Sequence, residues 1–128
     1  MITDFKNKTA VLTGAGSGFG LEMARIGAQK GMNLVLADVQ QDALDKAAAE
    51  MTAAGAKVLA LRVDVSSAEQ MAALGEATFK TFGAPHLVFN NAGVGAPPVG
   101  LEELTFEQWR NVVDINLTGV FLCTQQAI

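Results

Sequence analysis

Thr13-Gly14-Ala15-Gly16-Ser17-Gly18-Phe19-Gly20 joins an apolar run at residues 9–12 to a stretch with helical spacing at residues 18–30. The order of these three pieces decides the fold. A strand that feeds a glycine-rich turn and then a helix leaves backbone N–H groups free at the positive end of the helix dipole. That is a seat for an anion such as a pyrophosphate. In this reading Gly14 permits the turn, Gly18 lets the backbone approach phosphates, and Gly20 lets the helix pack closely.

Working outward, short aliphatic runs alternate with longer helical patterns. The first helix carries Leu21, Ala24 and Ala28 on one face and closes at Gly31. A second strand at 33–38 leads to a helix at 40–54, with Leu44, Ala47, Ala48 and Met51 inward and Gly55 at its end. A third strand at 57–63 follows. Ser66 with Glu69 reads as a capping box for a third helix, which turns Met71, Leu74, Thr78 and Phe82 inward and ends at Gly83 and Pro85. A fourth strand at 86–90 leads to a loop containing Gly95, Pro97, Pro98 and Gly100. Thr105 with Gln108 is a second capping box. It opens a helix expected to run unbroken to residue 128, with Phe106, Trp109, Val113 and Val120 at helical spacing. This alternation predicts an α/β fold with right-handed crossovers and a doubly wound parallel sheet, in one domain over residues 1–128.

Asp38 ends the second strand. An acidic residue there accepts both hydroxyls of an adenosine ribose and repels a 2′-phosphate. No Lys or Arg follows until Lys46, and Ser17 in the turn is not basic, so NAD is preferred to NADP. The same Asp38 could instead cap the following helix.

Composition removes other classes. Nine Lys and Arg against 13 Asp and Glu give a net charge of −4, with basic residues scattered, which argues against a nucleic-acid or anionic-membrane surface. One cysteine, Cys123, forms no internal disulfide and reads as core or interface. No apolar run approaches the ~20 residues of a membrane span, and the polar start is unlike a signal peptide. The expected location is the cytoplasm. His86, the single histidine, reads as opening a strand. No His, Cys and Asp cluster has metal-ligand spacing.

The T-G-x-x-x-G-x-G spacing of Thr13 to Gly20 resembles the short-chain dehydrogenase/reductase family, with Phe19 where an aliphatic residue is usual. Three further elements agree: Val63-Asp64-Val65, Asn90-Asn91-Ala92-Gly93, and Asn116 within Asp114-Ile115-Asn116-Leu117-Thr118-Gly119. The resemblance spans the chain and implies an NAD(P)-binding Rossmann fold. It also implies a hydride transfer between a secondary alcohol or carbonyl substrate and a nicotinamide. Gly14, Ser17, Gly18, Phe19, Gly20 and Asp38 are the implied cofactor contacts in the first half. Asp64 is implied to hold the adenine amino group, with Val65 beside it. Asn91, Ala92 and Gly93 are implied to lie along the ribose. Asn116 is the implied active-site residue, expected on the apolar face shared with Trp109, Val113 and Val120 and therefore buried and satisfied.

The family's catalytic Ser and its Tyr-x-x-x-Lys come later in the chain, and this sequence has no tyrosine. The expectation is a truncated, catalytically incomplete Rossmann domain that stops after the fourth strand and its following helix. A homo-oligomer is expected for the full-length parent, because the helix bearing Asn116 packs against a sister subunit in the family. Two alternatives stay open: a non-catalytic nucleotide-binding or partner-pairing module, and a methyltransferase-like domain for an adenosyl cofactor. The Asn90–Gly93 element and the turn spacing argue against the second.

Overall fold

A computed structural model describes residues 1–128. Four parallel strands, β1 (Thr9–Thr13), β2 (Asn33–Asp38), β3 (Val58–Arg62) and β4 (Leu87–Phe89), lie in the order β3-β2-β1-β4. Val11 sits opposite Val35 on one side and Val88 on the other. The chain steps outward from β1 to β3 and then returns to the far side of β1. The crevice beyond the ends of β1 and β4 is therefore a topological switch point, where open α/β sheets bind ligands.

The continuous apolar strands follow from cover on both faces. Leu34, Val35, Leu36 and Ala37 of β2 are at most 1% exposed. Alternate residues point to opposite sides. Leu12, Leu34 and Leu36 pack with Ala24 of α1 (Gly18–Gln29) and with Leu44, Ala47 and Met51 of α2 (Gln41–Ala53). Val11, Val35 and Ala37 face the other way, onto Met71 and Leu74 of α3 (Ala68–Phe82) and onto Cys123. Each fully buried leucine contributes about 1.5–3 kcal/mol.

Two sequence expectations are corrected. The cap of α3 is Ser67, whose hydroxyl accepts from the Gln70 N–H at 3.3 Å, and not Ser66 with Glu69. The reason is Asp64, whose Oδ1 accepts from both the N–H and the hydroxyl of Ser66, at 2.9 and 2.6 Å. Ser66 is thereby committed to a local turn and the helix begins one residue later. The last helix does run on to Ala127, but not at one pitch. After α4 (Phe106–Val113), capped by Thr105 and Gln108 as expected, a π-helical turn occupies Asp114–Thr118 before α5 (Gly119–Ala127). α4 buries no residue, and Phe106 and Trp109 stack on each other at 5.9 Å on an exposed face.

Candidate functional site

A cleft of about 340 Å³ opens where the strands end. Ser17, Gly18 and Phe19 form one wall. Asp38, Val39 and Gln40 follow β2, Asp64 and Val65 follow β3, and Asn91 to Val94 follow β4. The chain thus brings together at one crevice most of the residues singled out from sequence. Gly20 lies just behind it, and Asn116 reaches its edge through Val94.

The glycine turn is built by close approach. Gly14 has φ +65°, and a Cβ there would stand 2.9 Å from Ala92 Cα. A Cβ on Gly20 would overlap the Gly14 carbonyl oxygen and lie 2.7 Å from Asn91 Nδ2. At Gly18, with φ +54°, nothing lies within 4 Å, so the space over the start of α1 is open.

The helix start itself is left unsatisfied. Ser17 makes no side-chain cap, and the first turn of α1 holds no acidic residue. The first backbone bond is Leu21 N–H to Ser17 O, and the N–H groups of Gly18, Phe19 and Gly20 make no bond within the chain. By contrast, α3 and α4 are capped by Ser67 and Thr105, and α2 carries Asp42 in its first turn. Uncapped donors at the positive end of a helix favour an anion.

Sequence reasoning passed over the side chain that locks this site. Thr13, 2% exposed, accepts from the N–H groups of Asn91 and Ala92, both at 3.1 Å, and donates to the Phe89 carbonyl at 3.3 Å. Asn91 Nδ2 in return donates to the carbonyls of Thr13 and Gly14, at 3.1 and 3.3 Å. The ends of β1 and β4 are thus cross-tied. The available signal was a hydroxyl directly after the apolar run Ala10–Leu12, which must find partners once buried.

Asp38 is held from two sides. Its Oδ2 accepts from the Gly16 N–H at 2.8 Å and its Oδ1 from the Gln40 N–H at 2.9 Å. Gln40 occupies the N-cap position of α2 and makes no side-chain cap there; the Asp38 carboxylate reaches only the Gln40 N–H, before the helix starts.

Asn116 differs from expectation in its surroundings. It lies in the π turn and is exposed rather than buried on the Trp109 face. Its amide is nonetheless paired: Oδ1 accepts from the Val94 N–H and Nδ2 donates to the Val94 carbonyl, both at 2.8 Å.

Cys123, 4% exposed, sits in the core beside α3, away from the cleft. Burial pushes its thiol pKa up, which keeps it neutral and unreactive. His86 precedes β4, and it brackets Thr9: its Nδ1 accepts the Thr9 N–H at 3.1 Å, and its own N–H donates to Thr9 O at 2.9 Å.

The chain matches the short chain dehydrogenase family over residues 8–128. It belongs to the short-chain dehydrogenase/reductase family. A cyclohexanol dehydrogenase of Acinetobacter sp. (strain SE19) is 43% identical over 121 residues, which cover 94% of this chain and 48% of that protein. A cis-4-hydroxycyclohexanecarboxylate dehydrogenase of Sinomonas cyclohexanicum is 40% identical over 97% of this chain and 49% of its own length. Among solved structures, a short-chain dehydrogenase/reductase from Burkholderia phymatum in complex with NAD superposes with a TM-score of 0.94 at 46% identity, covering 98% of this chain and 44% of that one. The chain spans about half the length of the curated relatives it matches.

Proposed function

We propose that residues 1–128 form the nucleotide-holding Rossmann domain of an NAD-dependent oxidoreductase. In a protein of the relatives' full length it would interconvert a secondary alcohol and its ketone. The observation that carries this reading is the uncapped start of α1 opening on a cleft floored by glycines, with the Asp38 carboxylate on the next strand. The open space over Gly18 is what a pyrophosphate needs, and a side chain there would fill it. A nicotinamide dinucleotide, when bound, supplies the hydride acceptor.

The residues of this chain bind and orient. The N–H groups of Gly18 and Phe19, with Gly14 and Gly20 making room, meet the phosphates. Asp38 accepts the ribose hydroxyls and, by its charge, disfavours a 2′-phosphate, so NAD is the cofactor. Asp64 and Val65 face the adenine. Asn91, Ala92 and Gly93 line the other ribose, and Ser17 closes the turn. Asn116 acts as a positioning residue: by clamping Val94 it sets the loop that borders the reacting end of the cleft. The names of the two relatives point to ring secondary alcohols as the first substrates to try. The exposed Phe106 and Trp109 face of α4 supports a self-associating parent; no helix of the chain is long and apolar enough to cross a membrane.

Calorimetric titration of the purified chain with NAD and NADP tests the reading. Saturable NAD binding, weakened in Asp38→Ala, is expected. Binding of neither nucleotide would remove the proposal. A non-catalytic NAD-binding module would show the same binding, but no cyclohexanol oxidation would appear in a protein of full family length.

A further inference from the structure

Gly16, like Gly20, is not in the cleft wall, but the space its missing side chain leaves is taken by a carboxylate. A Cβ there would lie 2.9 Å from Asp38 Oδ2, 3.1 Å from Asp38 Cγ and 2.9 Å from the Ala43 Cβ. Its N–H meets the same Oδ2 at 2.8 Å. Gly16 is therefore both the donor that seats the Asp38 carboxylate and the gap the carboxylate occupies.

We infer that Gly16 is a positioning residue for cofactor selectivity, acting through Asp38 and never touching the nucleotide. An ionised carboxylate offers about four lone-pair sites. The Gly16 and Gln40 N–H groups each engage one oxygen, at 2.8 and 2.9 Å, which leaves one acceptor site on each oxygen. Two acceptors on a fixed carboxylate match the two hydroxyls of a ribose. The same fixed charge meets a 2′-phosphate with no freedom to swing aside. A side chain at position 16 pushes the carboxylate off its donor, and both effects weaken together.

This inference rests on the dinucleotide reading, and the experiment separates the two. Dissociation constants for NAD and NADP, with adenosine 5′-monophosphate and adenosine 2′,5′-bisphosphate as fragment probes, are measured by calorimetry on the chain and on a graded series. Thermal melting checks that each variant folds. Gly16→Ala is expected to lower the ratio of NADP to NAD dissociation constants by a few-fold, and Gly16→Val by roughly tenfold or more. Adding Ala43→Gly to Gly16→Ala removes the contact with α2 and leaves the one with Asp38, so the ratio stays lowered. In an Asp38→Ala background, where a Cβ at position 16 has no carboxylate to displace, Gly16→Ala leaves the ratio unchanged.

A ratio that holds through the Gly16 series while both affinities fall equally would overturn the inference and leave the dinucleotide reading intact. So would recovery on adding Ala43→Gly, or additive effects in the Asp38→Ala background. A parent chain that binds none of the four ligands sinks both.

Discussion

β2 and β4 flank β1 on opposite sides, and both pair with it in parallel, yet they live in different environments. β2 is six residues long, with four at most 1% exposed, and it is enclosed by α1 and α2 on one face and α3 on the other. β4 is three residues long, half-buried throughout, and forms a sheet edge. The helix that follows it buries nothing. Packing holds the first side. On the second side, polar ties bind β4 to β1: Thr13 and Asn91 at one end, His86 and Thr9 at the other. Burial works without precise partners, whereas a polar tie fails when a single atom is lost. The cleft sits where the two regimes meet, so its shape depends on both.

Substitutions can break that contrast in order of size. Gly20→Val forces α1 off β1 against the Gly14 carbonyl, and the expected loss exceeds about 4 kcal/mol, read from urea denaturation. Leu36→Ala, in the enclosed side, is expected to cost about 3 kcal/mol, while Phe121→Ala, 61% exposed on the open side, stays within about 0.5 kcal/mol. Equal losses would erase the distinction. Thr13→Val keeps the shape but strands the Ala92 N–H, while the Asn91 N–H keeps its bond to the Phe89 carbonyl at 2.9 Å; about 2 kcal/mol is lost, and amide exchange should quicken at Ala92 while β2 stays protected.

The smallest effect lies on the outer face of α1 and α2. Arg25 bridges Glu22 and Glu50, bonding Glu50 at 2.6 Å, and holds the Glu50 carboxyl below its usual range. A carboxylate with a depressed native pKa adds stability above its unfolded pKa and loses it as pH falls through the native value. The exposed pair makes this a shallow slope, which Arg25→Ala should flatten in denaturation midpoints measured across the carboxylate range.

Much of the enclosed side was readable from sequence, because its determinants are periodic. Leu44, Ala47 and Met51, and Met71, Leu74 and Thr78, fall at helical spacing and are buried as expected. The glycine turn was readable because its spacing and its place after a strand are both local. What escaped depends on partners far along the chain. Two adjacent serines followed by Glu69 and Gln70 allow two capping registers, and only the claim of Asp64 on Ser66 selects one. No local pattern says that Gly16 accommodates a carboxylate 22 residues away, or that the Thr13 hydroxyl serves backbone 78 and 79 residues on. Asn116 was singled out by its motif and its surroundings were misjudged by its period, since helical spacing cannot be carried across a π turn.

That turn also works as a phase shifter between two helices sharing one axis. α4 turns an unburied face outward, while α5, one widened turn later, aims Cys123 at the core and sets Gly119 against Val65, where a Cβ would stand 2.8 Å from a valine methyl. Removing one residue from 114–118 would restore an even pitch and leave α5 facing the same way, because one extra residue is what the widened turn absorbs. Keeping every residue but forcing the segment to α pitch would instead rotate everything after it by about 100° and swing Cys123 out of the core. The widened pitch of this segment keeps the two faces in step.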